Sequence, residues 1–463
     1  MKLELSAIPG LRVTIMGLGL HGGGTASTLF FARHGAQVTV TDLRSEVQLA
    51  PSLEQLSGIS FRSVLGRHEE SDFRGADIVI KNPAVAASSP LLKLARQVES
   101  DISVFLSLCK NPLLAVTGTK GKSTTTSAVY ETLKTFDPEA RIGGNITVSP
   151  LTFLDELAGG SPGAPVVLEL SSWQLADLAG KGVLKPKVAA ITNIMPDHLN
   201  RYASMEAYVD DKRVIYAEQE STAFTVCNYD DPYGRSFASE TPARTRFFSR
   251  TGLPEGVDGA WIDGGGGRGL YRDGAIRAQI LPEQLALPGE HNRKNLLAAS
   301  LMLVLYGLPS GRVAERIASF RGIPHRLELL SDSRGILVYN DSAATIPEAT
   351  AAALDSFKVP VILIAGGTDK KLDFSVLRSS ERLPRLAFLL SGSATGKLQS
   401  VLDERGVESR GPFESLEAAV AAAVDAAVPG EVILFSPGCT SFEMFANEFD
   451  RGNRFREIVK QTL

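Results

Sequence analysis

Residues 113–134 read LLAVTGTKGKSTTTSAVYETLK: a compact apolar run, a turn holding Gly118 and Gly121, and a helix-compatible stretch that opens on Lys122 and Ser123. In a strand, glycine turn, helix arrangement, backbone N–H groups and the positive end of the helix converge on an anion. Lys122 would neutralise outer phosphates and the Ser123 hydroxyl would hold Mg²⁺, with Gly118, Thr119, Lys120, Gly121 and Thr124 completing the cradle. The widespread GxxxxGK[ST] pattern has four residues between its glycines; this loop has only two, and Val116 stands where the outer glycine would fall. A plain turn is the competing reading, but it does not call for GxxGKST set between a strand and a helix. A loop of this kind sits at the carboxyl edge of a parallel sheet, so the segment predicts an α/β fold.

Upstream, RVTIMGLGLHG (residues 12–22) repeats the logic, with an apolar run followed by Gly17, Gly19 and Gly22 in GxGxxG spacing. QVTVTD places Asp42 about 20 residues further on, where a carboxylate reads a ribose in dinucleotide-binding folds. This motif leaves three readings open: a nicotinamide cofactor, another nucleotide diphosphate, or close helix–strand packing alone. ADIVIKNP then supplies a further strand, and a helix is expected from Asp101 to Cys109.

Downstream, PVVLELSSW and KVAAITNI are buried-strand candidates that end near Glu169 and His198. A carboxylate closing an apolar strand is expensive unless a cation compensates it, so Glu169 is a candidate Mg²⁺ ligand and His198 a second ligand or an orienting group. Taken singly, each is more often structural; two such strand ends in a sheet that carries a phosphate loop favour the functional reading. Lys212, in YVDDKRVIY, reads locally as an exposed helical lysine. Asn292 and Asn295, three apart on one helix face, would read an adenine or cap the helix. Residues 230–279, rich in Gly, Arg and Asp, read as surface hairpins and loops, and HNRKNLLAASLMLVLYGL reads as an amphipathic helix. ILVYND, VILIAGG, LAFLLSG and VILFSPG, separated by Ala-rich helices, form another doubly wound unit. Its Arg326, Asp341, Thr345, Lys370 and Ser441 lie at strand ends or in the following loops, and Lys370 would suit a carboxylate-bearing substrate.

Length and composition agree with this layout. The 463 residues are too many for one ordinary core, and three domains are expected: residues 1–110, 111–325 and 326–463. A formal net charge of -4 excludes a general nucleic-acid-binding surface, so phosphate recognition must be local. Cys109, Cys227 and Cys439 lie far apart and read as buried free thiols. No secretory signal or membrane-length apolar run is visible, and a cytoplasmic setting follows.

The ordered series GLGLHG, TGTKGKSTTT, GGNI, ELSSWQL, NIMPDHLNRY, DDKR, HNRKN, HRLELL, NDSAAT, GGTDKKLDF and SPGCTSFEMF resembles the Mur ligases nearly end to end. Within them it is most similar to the branch that adds glutamate to UDP-N-acetylmuramoyl-L-alanine. The resemblance implies an N-terminal Rossmann-like domain for the UDP moiety, a central ATPase with a parallel sheet, and a C-terminal Rossmann-like domain for glutamate. It assigns Gly19, Leu20, His21, Asp42 and Arg44 to the uridine diphosphate, with Asn145, Ser171 and His198 continuing toward the muramoyl-alanine end. It assigns Asn292, Asn295, Arg326 and Asp341 to ATP, and Thr345, Lys370, Ser441 and Phe442 to glutamate. Two Mg²⁺ ions are implied, held by Ser123, Glu169, His198 and Lys212, the last as a CO₂-derived carbamate. Lys122, Glu169, His198 and Lys212 are then the catalytic set of a monomeric enzyme that ligates D-glutamate through an acyl phosphate. Ala343 stands where relatives carry the lysine of NDSKAT, which keeps L-glutamate in play as the incoming amino acid. Another amide ligase of the same superfamily, or an NAD-dependent oxidoreductase, are the remaining alternatives.

Overall fold

The computed structural model describes residues 3–20, 22–86, 88–146, 148–160, 163–197, 202, 204–369, 373–380, 382–441, 444–445 and 447–463. Its strands fall into three sheets. The first is fully parallel and joins β1 (Arg12–Met16), β2 (Gln37–Asp42), β3 (Arg62–Leu65), β4 (Ile78–Lys81) and β5 (Val98–Glu99) in the order β3-β2-β1-β4-β5. The second comprises β6 (Leu113–Thr117), β7 (Arg141–Gly144), β8 (Val166–Glu169), β9 (Val188–Ile191), β10 (Phe224–Asn228), β11 (Arg244–Ser249), β12 (Gly259–Ile262), β13 (Gly269–Asp273) and β14 (Ile276–Leu281). Their order is β14-β13-β12-β11-β10-β9-β6-β8-β7, with only β12, β13 and β14 paired antiparallel. The third holds β15 (Glu328–Ser333), β16 (Ile336–Asn340), β17 (Val361–Ala365), β18 (Leu386–Leu390), β19 (Glu408–Phe413) and β20 (Val432–Phe435) in the order β15-β16-β20-β17-β18-β19.

The chain divides into two compact units, one of Met1–Glu283 with Lys294–Ile317, the other of Gln284–Arg293 with Ala318–Leu463. The first unit carries the first two sheets and the second carries the third. Central strands are uninterrupted apolar runs because helices cover both faces: every residue of β6, β8, β9, β17, β18 and β20 is buried. In the first unit one core runs through both sheets, joining Ile15, Phe30 and Phe105 to Phe153, Leu168 and Ile191. Lys81 pairs with Asp177 at 2.9 Å and Lys181 with Glu99 at 3.0 Å across the same seam, so the carboxyl edges of the two sheets are held facing a shared space.

Three expectations change. Residues 230–279 hold the expected hairpins in the antiparallel strands β12, β13 and β14, but also a helix over Pro232–Glu240 and the parallel strand β11. The strands of this part of the sheet are only partly buried, so their sequence is polar and resembles a loop. The helix Glu290–Tyr306 is not amphipathic, because residues 296–303 are all buried. Cys227 and Cys439 are buried as expected, whereas Cys109 is only partly so.

Candidate active site

The phosphate loop lies between β6 and the helix Lys122–Lys134. Gly118 and Gly121 take φ of +140° and +83°, and a Cβ on either would overlap a neighbour, the Thr192 hydroxyl and the Asn295 side chain respectively. The loop is clamped from β9: Thr119 N donates to Asn193 O at 2.8 Å, Lys120 N to Asn193 Oδ1 at 3.0 Å, and the Thr192 hydroxyl to Lys120 O at 2.7 Å. Lys122 Nζ lies back over its own loop, donating to Thr119 O at 2.9 Å. Ser123 is half-buried and Thr124 buried at the first turn of the helix. Lys120 is exposed, with its amine 3.5 Å from Asp197.

Two side chains at this edge have unusual surroundings. Glu169 is 1% exposed; its Oε1 accepts from Asn145 Nδ2 at 2.8 Å, while Oε2 is buried without a hydrogen bond among the described residues. A buried carboxylate oxygen left in this way fits a cation ligand, because an uncompensated one is costly. Lys212 is the larger surprise. The helix Met205–Ala217 turns it inward, where it is 1% exposed and donates to Gly118 O at 2.9 Å. Its amine also lies 4.7 Å over the Tyr208 ring. Burial, reinforced by the nearby Lys122, pushes its pKa down to about 7. The local reading of an exposed lysine is therefore wrong, and the inward turn is set by helix phase.

A cavity of about 850 Å³ lies along the carboxyl edges of the first and second sheets. Gly19, Leu20, Asp42 and Arg44 line it from the first sheet, and Asn145 and Ser171 from the second. Both oxygens of Asp42 hold the turn: Gly19 N donates to Oδ2 at 3.1 Å and Arg44 N to Oδ1 at 2.9 Å. Ser171 caps the helix Ser172–Leu178 in a reciprocal pair with Gln174. His68, Asn82, Asp101, Trp173 and Gln174 also line the cavity and were not singled out from the sequence. Their common signal is position, each lying just beyond a strand of one of the two sheets.

Asn295 packs against Gly121, while Asn292 is buried and donates to Pro288 O at 2.7 Å, a cap-like role. In the second unit, Asp341 is buried between the Ser436 hydroxyl at 2.7 Å and Leu327 N at 3.1 Å, and burial pushes its pKa up to about 7. Arg326 is exposed and Thr345 half-buried. Ser441 is 4% exposed, and its hydroxyl has no hydrogen bond among the described residues. His21, His198, Lys370 and Phe442 lie outside the described residues. No group of three or more His, Cys, Asp or Glu suited to a metal occurs among the described residues.

Two glycine turns at the edges of adjoining parallel sheets, one of them a GKS loop beside a buried carboxylate and a desolvated lysine, define a nucleotide-using α/β enzyme. Family models agree: the N-terminal domain of MurD-like Mur ligases matches residues 11–104, the Mur ligase middle domain 116–303 and the Mur ligase glutamate ligase domain 325–439. The UDP-N-acetylmuramoylalanine--D-glutamate ligase of Roseiflexus sp. is 41% identical, covering 98% of this chain and 99% of its own. That of Treponema pallidum is 40% identical over 99% of each. Among solved structures, UDP-N-acetylmuramate-alanine ligase MurC of Thermotoga maritima shares the fold at a TM-score of 0.60 and 21% identity, over 98% of this chain and 100% of that one. MurF of Acinetobacter baumannii does so at 0.60 and 13%, over 97% and 94%. The chain belongs to the Mur ligase family, whose members are ATP-dependent amide ligases, and the dehydrogenase reading of the first glycine loop falls away.

Proposed function

We propose that this enzyme ligates D-glutamate to UDP-N-acetylmuramoyl-L-alanine with cleavage of ATP to ADP and phosphate, a cytoplasmic step of peptidoglycan precursor synthesis. Relatives named for this reaction match over nearly the whole chain, which favours D-glutamate over the L-enantiomer that Ala343 alone had kept open. The observation that carries the site reading is the pairing of an orphaned Glu169 oxygen with a desolvated Lys212 amine beside the phosphate loop.

In this reading the cavity holds the UDP-sugar, with the diphosphate at the N-terminus of the helix Gly23–Arg33 and the alanyl carboxylate reaching past Asn145 toward Glu169. The carboxylate oxygen attacks the γ-phosphorus of ATP, the bond to the β-phosphate oxygen breaks, and ADP leaves. Lys122, swung off Thr119 O, balances charge as four anionic groups converge. Mg²⁺ would supply further charge neutralisation, held by Glu169 and Ser123 with His198. Lys212, half neutral near pH 7, can take up CO₂ as a carbamate and become the acidic ligand of a second ion. The deprotonated amine of glutamate then attacks the acyl phosphate, and the tetrahedral intermediate collapses to amide and phosphate. An acyl phosphate is already reactive, so the protein mainly positions it and shields it from water. Thr345, Lys370, Ser441 and Phe442 are the side chains we assign to glutamate, with Asn292, Asn295, Arg326 and Asp341 for ATP.

Phosphate release from ATP, measured with UDP-N-acetylmuramoyl-L-alanine and each glutamate enantiomer, tests this. Turnover with the D-enantiomer alone, abolished by Lys122→Ala, is expected. Equal rates with both enantiomers, or a Lys122→Ala rate like that of the parent, would overturn the assignment.

A further inference from the structure

Two stretches of the cavity lining come from different sheets. One is the loop after β4, from Asn82 to Ala86, and the other is the start of the helix Ser172–Leu178, with Ser171, Trp173 and Gln174. Lys81 reaches both. It closes β4, a strand buried throughout, and is itself 5% exposed. Its ammonium pairs with Asp177 Oδ2 of the helix at 2.9 Å and donates to the loop at Val85 O, 3.0 Å away, and Asn82 O, 3.4 Å away. An ammonium carries three hydrogens, and these three oxygens surround it.

The loop passes that constraint on to the glycine turn. Asn82 O accepts from Val85 N at 2.9 Å and Asn82 Oδ1 from Ala84 N at 3.0 Å, while Asn82 Nδ2 donates to Gly17 O at 3.4 Å. A displaced Lys81 would therefore shift a wall of the cavity and the turn beside it together.

Stability is a poor reason for this arrangement. A buried ion pair pays heavily for lost hydration, and replacing both partners by apolar groups of similar volume is often neutral or stabilising. An apolar pair cannot, however, hold two carbonyl oxygens and a carboxylate in fixed directions. The second ion pair of the seam, Lys181 with Glu99 at 3.0 Å, joins the same two sheets without lining the cavity, which makes it a natural comparison.

We propose that Lys81 is a positioning residue for the substrate of this cavity, its ammonium locking the loop after β4 to the helix Ser172–Leu178 at the separation the substrate spans. The inference rests on the reading of the cavity as the UDP-sugar site and adds the group that sets its width. Lys81 acts through the two walls and needs no contact with the substrate itself.

Lys81→Met alone strands the Asp177 carboxylate, so the informative protein is the double variant Lys81→Met with Asp177→Leu. It should unfold at or above the parent's urea midpoint, yet bind UDP-N-acetylmuramoyl-L-alanine about tenfold more weakly or worse by calorimetry, as expected when a wall loses its alignment. Its kcat at saturation and its KM for ATP should stay within twofold, and amide exchange in residues 82–86 should quicken about tenfold. Lys181→Met should leave the affinity for the UDP-sugar within twofold. In the parent, with no substitution, the UDP-sugar should slow exchange in residues 82–86 and 171–174 alike. A double variant that binds like the parent, an equal loss in Lys181→Met, or slowed exchange at one wall alone would overturn the proposal. A parent that binds the UDP-sugar without ligating glutamate would count against the functional reading alone, and one that does not bind it would overturn both.

Discussion

Replacing Lys212 by methionine should abolish activity and at the same time stabilise the first unit. The amine is almost fully buried, and its pKa falls from 10.5 to about 7. At about 1.36 kcal/mol per unit, that shift corresponds to a penalty of about 4 kcal/mol at pH 7. The folded-state value is the depressed one, so between about pH 7 and 10.5 the unfolded chain binds the extra proton. Stability therefore rises with pH across that window, and the penalty is fully present below it. Methionine follows the side chain to within one heavy atom and carries no charge, but it forfeits the hydrogen bond to Gly118 O, about 1 kcal/mol. The expected net gain is about 3 kcal/mol at pH 7, shrinking to nothing near pH 10 and turning into a small loss above it. Urea unfolding in CO₂-free buffer at pH 7, 8.5 and 10 measures it, since a carbamate would itself stabilise the parent. Trp173 and Trp261 both lie in the first unit, so tryptophan fluorescence reports on the part that carries Lys212. A variant less stable than the parent at pH 7, or a difference that does not change with pH, would refute the account of a desolvated amine.

Two further outcomes follow from packing. Gly121→Ala forces a left-handed residue to carry a Cβ into the Asn295 side chain, so a loss of about 1–3 kcal/mol and a KM for ATP raised at least tenfold are expected; an unchanged KM in steady-state kinetics would mean the loop does not cradle ATP. Arg451, wholly buried at the start of the helix Glu448–Thr462, donates to the Ser342 hydroxyl, Ser342 O and Cys439 O at 3.0, 2.7 and 3.0 Å. Arg451→Met should lower stability by about 2–4 kcal/mol and speed hydrogen exchange in residues 342–345 and 437–441, and exchange left unchanged there would show that Arg451 does not brace these loops.

The parts legible in the sequence were those whose physics is local. VILIA, LAFLL and VILF are unbroken apolar runs because both faces of their strands are covered, and the glycines of the GKS loop announce a backbone that a Cβ would block. The parts that were hidden depend on partners far along the chain. Lys212 looks like any helical lysine until Gly118, 94 residues away, closes over it. Thr192 and Asn193 clamp the phosphate loop from the next strand, and nothing in ITNI marks them as clamps. The strand β11 went unseen within a stretch read as hairpins and loops because, although paired on both sides, it buries only its last two residues fully and so shows no continuous apolar run.

The same distinction explains why GLGLHG could not name its ligand. Its glycines answer to the backbone: a Cβ on Gly17 would come within 2.9 Å of Asn82 Cβ, and the next glycine that packs tightly, Gly24, lies against the Leu18 carbonyl. Asp42, which dinucleotide-binding folds use to read a ribose, here also braces the turn, accepting Gly19 N–H at one oxygen and Arg44 N–H at the other. Such a loop would serve any nucleotide diphosphate. The rest of the cavity lining comes from elsewhere: His68 and Leu43 beyond two neighbouring strands at one end, Asn145 and Ser171 on another sheet at the other. The motif therefore accounts for the shape of its own turn, while the groups at the two ends of the cavity are brought there only by the tertiary fold.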